Sequence, residues 1–118
     1  MPPAAGRRAG GHGTVLFFED QAVVESLQAE FKAYKDNFPI WSLQSSGMLQ
    51  VIVWTALEAE GPGASLQHYN PLIDEEVKKR WKLPASWKLM SQMPFGTPLE
   101  LPDEKEFLPA KGRMRVYN

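Results

Sequence analysis

Gly63-Ala64-Ser65-Leu66-Gln67-His68-Tyr69-Asn70-Pro71-Leu72 is the stretch around which the 118-residue chain is organised. Its first half is apolar; its second half is polar and aromatic. Gln67, His68, Tyr69 and Asn70 stand side by side shortly after the tight turn Glu60-Gly61-Pro62-Gly63. Adjacent hydrogen-bonding groups beside a turn suit recognition of a planar polar ligand through edge hydrogen bonds and backbone groups. The competing reading is a plain hydrogen-bonded connector, and spacing alone does not separate the two.

Upstream, residues 40–60 carry the longest helical signal in the chain, with Pro39 suited to the first turn. Met48 to Leu57 is almost wholly apolar, broken by Gln50 and Thr55. A helix apolar all round is a helix packed on all sides, by other elements of its own chain or by a second subunit. The small residues Ser45-Ser46-Gly47 would admit another backbone, although a merely tolerated Gly47 is an equal reading. Thr14 to Phe18 is a short run of β-formers, opened by Gly13 and closed by Glu19-Asp20, and reads as a strand buried on both faces. Asp20 then caps a helix from Gln21, in which Val23, Val24, Leu27, Phe31 and Tyr34 form one apolar stripe ending at Lys35-Asp36-Asn37.

Downstream, residues 71–81 read as a helix capped by Asn70 with Pro71 in its first position. Asp74, Glu75 and Glu76 lie early and Lys78, Lys79 and Arg80 late, the order that complements the helix dipole. This is the pattern of a solvated structural helix. Trp87 to Met93 reads as a second strand, followed by a turn at Pro94-Phe95-Gly96. Residues 98–109 are rich in Pro and Glu and are expected to be extended and exposed. Arg113 to Tyr117 alternates basic and apolar, as an edge strand or an arm to a partner would.

Composition narrows the possible functions. A hydrophobic content of 43% permits a packed core. A net charge of −1 argues against non-specific nucleic-acid binding, which needs a basic surface. The chain has no cysteine, which excludes disulfides, thiolate nucleophiles and cysteine-ligated metals and fits a cytoplasmic protein. Residues 1–12, rich in Pro, Gly, Ala and Arg, read as a disordered tail and not as a signal peptide. No apolar run approaches the ~18 residues of a membrane span. Gly10 to Gly13 lacks the Lys-Ser or Lys-Thr of a phosphate loop. His12 and His68 are too few to hold zinc. A hydrolase using Ser65 or Ser86 with His68 would lack the Gly-x-Ser-x-Gly elbow. Lys111 and Arg113 read either as a soluble charged terminus or as a phosphate clamp, since residues two apart on an extended segment face one side.

These residues together resemble the nitroreductase family, and within it a small fungal and bacterial branch with a Leu-Gln-His-Tyr-Asn-Pro motif, here Leu66 to Pro71. Gly13 to Asp20 resembles the strand before the family's middle helix, Trp41 to Trp54 its long central helix, and Trp87 to Gly96 the next strand and turn. The resemblance runs collinearly through most of the chain from Gly13 onward. It implies an α+β fold in which residues 13–118 form the C-terminal part of the domain, without the family's N-terminal segment. It further implies an obligate homodimer that binds FMN at the subunit interface and passes reducing equivalents from NAD(P)H to nitroaromatic or quinone-like acceptors. Leu66, Gln67, His68 and Tyr69 would pass the flavin ring, and Lys111 and Arg113 would hold the FMN phosphate. No side chain need act as a nucleophile, because the chemistry belongs to the flavin. The alternative is a non-enzymatic dimerising subunit, or an inactive fragment without bound flavin.

Overall fold

A computed structural model describes residues 12–97 and 104–117. The expected tail therefore lies, but for His12, outside the described residues, as do positions 98–103 of the expected extended segment. The elements in chain order are β1 (Gly13–Asp20), α1 (Gln21–Glu30), a 3-10 turn (Lys32–Tyr34), α2 (Phe38–Ala59), β2 (Gly63–Ala64), α3 (Asp74–Trp81), β3 (Trp87–Gly96) and a second 3-10 turn (Ala110–Gly112).

The three strands form one antiparallel sheet in the order β1-β3-β2, so β3 is central. Pairing with β1 runs from Gly13 opposite Phe95 to Asp20 opposite Trp87, with one irregularity: Phe17 faces Ser91 and Phe18 faces Leu89. Met90 is thus the extra residue of a bulge and has no partner in β1. The core gathers on this pair. Phe17, Leu89 and Met93 are buried, joined by Val24 from α1 and Val77 from α3. Phe18 and Trp87 stack beside them with ring centroids 5.5 Å apart.

Several boundaries differ from expectation for identifiable reasons. Only Phe17 in β1 is fully buried, so that strand is half-covered and not enclosed on both faces. Pro94, Phe95 and Gly96 do not turn but complete β3. Pro94 has no N–H to donate on the edge facing residues 63–70, but its carbonyl still accepts from Ser65 N–H there at 3.1 Å. Asp20 caps α1 as expected, its Oδ1 accepting from Ala22 N–H at 3.0 Å. The helix stops at Glu30, and Phe31 and Tyr34 leave the apolar stripe to stack on the start of α2. Phe31 lies 6.3 Å from Phe38, Tyr34 lies 6.1 Å from Trp41, and Phe38 meets Trp41 edge-on at 5.4 Å. The helix expected from Pro71 begins at Asp74 instead. The Asn70–Pro71 peptide is cis, and Ile73 at the helix start gives no side-chain cap.

α2 is the least covered element. Of its 22 residues only Ser46 is buried. Ile40, Leu43, Met48, Leu49, Val51 and Ile52 are each more than half exposed. Among the described residues, Gly47 meets nothing that a Cβ would touch, so none of their backbone uses the gap it leaves.

Candidate functional site

Residues 63–70 lie along the edge of β3 that faces away from β1. The register set by β2, Gly63 opposite Gly96 and Ala64 opposite Phe95, continues past the end of the strand. Ser65 N–H donates to the Pro94 carbonyl at 3.1 Å. Gln67 and Gln92 exchange a pair of backbone bonds at 2.8 and 3.0 Å. Tyr69 N–H then donates to the Gln92 side-chain Oε1 at 2.7 Å. Every second residue is therefore tied to β3. In an extended segment the intervening backbone groups point the other way. Among the described residues, the N–H groups of Leu66 and His68 have no hydrogen-bond partner and face the open side of this edge.

The side chains divide in the same manner. Gln67 donates from Nε2 to Ser65 Oγ, closing the start of the segment. His68 is exposed, with Nδ1 3.4 Å from the Met90 carbonyl. Asn70 was expected to cap a helix but turns back to the sheet. Its Nδ2 donates to the carbonyls of Leu89 and Met90, at 3.0 and 3.2 Å, and its Oδ1 accepts from Gln92 Nε2 at 3.3 Å. The bulge explains why these carbonyls are available, since it interrupts the ladder with β1 at Met90. Gln92 is fully buried, and sequence reasoning gave it no role. A long amide beside Ser91 in a strand segment flanked by Met90 and Met93 was the available signal.

Of the six residues expected to bind a cofactor, the structure gathers Leu66, Gln67, His68 and Tyr69 on this edge. Lys111 and Arg113 lie on residues 104–117, every one of which is exposed. Their local geometry corrects the expected one. Residues 110–112 form a 3-10 turn and not an extended strand. At about three residues per turn, side chains two apart diverge. The Arg113 guanidinium also donates to the Leu108 carbonyl at 2.9 Å. A cavity of about 570 Å³ opens elsewhere, between β1 and α3, lined by Leu16, Ile73, Val77 and Trp81 with Glu76 and Arg80. None of the expected site residues lines it. Among the described residues no cluster of three or more His, Asp or Glu side chains is placed to hold a metal ion. No helix among them is long and apolar enough to cross a membrane.

A three-stranded antiparallel sheet flanked by helices, with a polar edge segment registered on its central strand, is an α+β arrangement. The description of the Nitroreductase family matches residues 4–97, and the chain belongs to that family. Nitroreductase FRM2 of Saccharomyces cerevisiae is 40% identical over 101 residues, which cover 86% of this chain and 51% of that protein. The structure is similar to nitroreductase CinD from Lactococcus lactis, solved in complex with 4-nitrophenol, chloramphenicol or nicotinic acid. The TM-score is 0.87 at 57% identity, covering 90% of this chain and 56% of CinD. It is also similar to a nitroreductase from Saccharomyces cerevisiae, with a TM-score of 0.68 at 37% identity, covering 75% of this chain and 49% of that one. The chain thus spans about half the length of the relatives it matches. The α+β, nitroreductase-like fold expected from sequence is the fold found.

Proposed function

We propose that the chain acts as an FMN-dependent oxidoreductase of nitroreductase type, taking reducing equivalents from NAD(P)H to nitroaromatic or quinone-like acceptors. The observation that carries this reading is the edge at residues 66–69. Leu66 and His68 direct backbone N–H groups outward from a segment whose alternate residues are fixed to β3. A flavin presents ring nitrogens and carbonyl oxygens along one edge, and outward amide donors match such acceptors. The donor set therefore fits the cofactor. Bound FMN would supply the redox chemistry, accepting hydride and releasing reducing equivalents to the acceptor.

The chain's own groups bind and orient. Leu66 and His68 offer donors to the ring edge, and Gln67 and Tyr69 anchor the segment that carries them. No residue need deprotonate the acceptor, and His68, exposed and turned to a carbonyl, is not placed as a base. Lys111 and Arg113, on an exposed segment, are the cations for the phosphate. Homodimerisation supplies the setting. α2 leaves an apolar surface uncovered along its length, and in the C-terminal segment Phe107, Leu108, Val116 and Tyr117 are each more than 70% exposed. The complexes of CinD with 4-nitrophenol and chloramphenicol support a nitroaromatic acceptor. A chain without cysteine fits a cytoplasmic location.

FMN titration into the purified chain tests the reading. Flavin-dependent oxidation of NAD(P)H with 4-nitrophenol present is expected, together with a changed flavin spectrum. A chain that leaves the spectrum unchanged and oxidises no NAD(P)H is not an autonomous enzyme. The second reading, a dimerising subunit without flavin, then rests on the uncovered face of α2 alone. Light scattering that finds only monomer would end that reading as well.

A further inference from the structure

We propose that Gln92 is the positioning residue that holds the edge at residues 66–69 in its ligand-presenting form; its bearing on FMN rests on the reading above. The backbone ladder between β3 and this edge ends at the Gln67–Gln92 pair. Beyond that pair the segment is held by side chains. Gln92 Oε1 accepts from Tyr69 N–H at 2.7 Å, and Gln92 Nε2 donates to Asn70 Oδ1 at 3.3 Å. Asn70 Nδ2 passes the connection on to the carbonyls of Leu89 and Met90. Both ends of both amides are used, so the orientation of each fixes the other.

The chemistry selects glutamine. The site needs an acceptor for a backbone N–H and a donor for a carboxamide oxygen, at the end of a side chain long enough to pass the last ladder bond. Methionine has the length and neither polar group. Ionised glutamate has the acceptor and no donor. Protonated glutamate has both. Gln92 is fully buried, so a lost partner is not replaced by water. His68 lies between the two residues that Gln92 fixes, Gln67 through its backbone and Tyr69 through its side chain. Releasing Tyr69 therefore frees the direction of the His68 N–H. Gln92 itself is fully buried behind the edge.

Amide hydrogen exchange on the full chain without flavin reads the positioning directly. Gln92→Met is expected to speed exchange at Tyr69 and Gln67 by about tenfold, the cost of leaving a buried group unpaired. Exchange at Val15 and Phe17, on the other edge of β3, stays at the wild-type rate. Gln92→Glu adds a pH signature. Burial raises the pKa of the carboxyl introduced at 92. Below that pKa the neutral acid makes both bonds and the edge is protected as in wild type. As pH rises through it, Tyr69 keeps its acceptor, but the donor to Asn70 Oδ1 is lost and a buried carboxylate is set against that oxygen; the repulsion pushes the segment off β3, and protection at Tyr69 falls. Wild type shows no such step. If Gln92→Met fails to fold, the pH series on Gln92→Glu decides the matter alone. Unchanged exchange at Tyr69 in Gln92→Met, or a flat pH series in Gln92→Glu, overturns the proposal.

FMN is then added to the same proteins. Weaker binding by Gln92→Met, again about tenfold, with an altered bound-flavin spectrum is expected. If wild type binds no FMN while the exchange results hold, the flavin reading falls and the positioning role stands. If wild type binds FMN and Gln92→Met binds it equally with unchanged exchange, the positioning role falls and the flavin reading stands.

Discussion

β3 and α2 are both rich in apolar residues, yet the chain treats them in opposite ways. In β3, Leu89 and Ser91 to Pro94 are buried, and the strand is paired on both edges. In α2, one residue of 22 is buried. Hydrophobicity alone does not distinguish them. Topology does, because a central strand is covered by its neighbours, whereas a long helix on a three-stranded sheet meets too little surface to hide its circumference. β3 is thus completed within the chain, and α2 is left largely uncovered by the described residues.

Truncating the strand is the severest test of that contrast. Met93→Ala is expected to cost about 3–4 kcal/mol of stability, since Met93 is fully buried and little can collapse into the space left. Urea unfolding measures it, and a loss below about 1 kcal/mol would mean that the core does not centre on β3.

A charge on the helix comes next. Ile52 is 64% exposed, so Ile52→Glu leaves the secondary structure of the chain intact. If a second copy covers α2, burying an unpaired carboxylate there weakens dimerisation about a hundredfold, roughly 2.7 kcal/mol. Concentration-dependent light scattering decides. A dimer that survives the substitution would move the interface away from this face.

Two smaller changes sharpen the comparison. Gly47→Ala adds a methyl group to open space in a helix interior, so a gain of about 0.5–1 kcal/mol in helix stability is expected. If Gly47→Ala instead weakens self-association, the small patch Ser45-Ser46-Gly47 admits a partner's backbone. Ser91 Oγ is buried without a hydrogen-bond partner among the described residues. Ser91→Ala is therefore expected to be neutral or to stabilise by up to about 1 kcal/mol, read as a rise in thermal midpoint. A clear loss would mean that the hydroxyl is engaged in the folded protein.

Much of the fold was legible in sequence because it is locally encoded. The β-formers of Thr14 to Phe18 lie in a strand, Asp20 caps the helix that follows, and the apolar run from Ile40 falls within α2. What misled was chemistry with two uses. Asn70 before Pro71 has the look of a helix cap, but its amide finds carbonyls about twenty residues away at the β3 bulge. Pro94-Phe95-Gly96 has turn composition and still forms strand, because pairing with β1 and β2 outweighs local preference. The candidate site was legible as a place and not as a mechanism. Sequence marked Leu66 to Tyr69, whereas Gln92 holds them only through a register that no local pattern encodes. The extended geometry expected of Lys111 and Arg113 was replaced by a 3-10 turn that short-range composition did not announce.

Met90 carries a last consequence. The register slips by one residue at this position, so β3 is one residue longer than the stretch of β1 it accompanies. Deleting Met90 would make the two lengths equal and regularise the hairpin-like pairing. It would also shift Trp87 to Leu89 by one step relative to residues 63–70, and it would remove a carbonyl that receives both His68 and Asn70. The smoother sheet would be the one with its edge segment unmoored. Insertions and deletions should thus be tolerated less well at this single residue than in the solvent-facing connection from Lys82 to Ala85, a difference that a deletion scan read by thermal melting would expose.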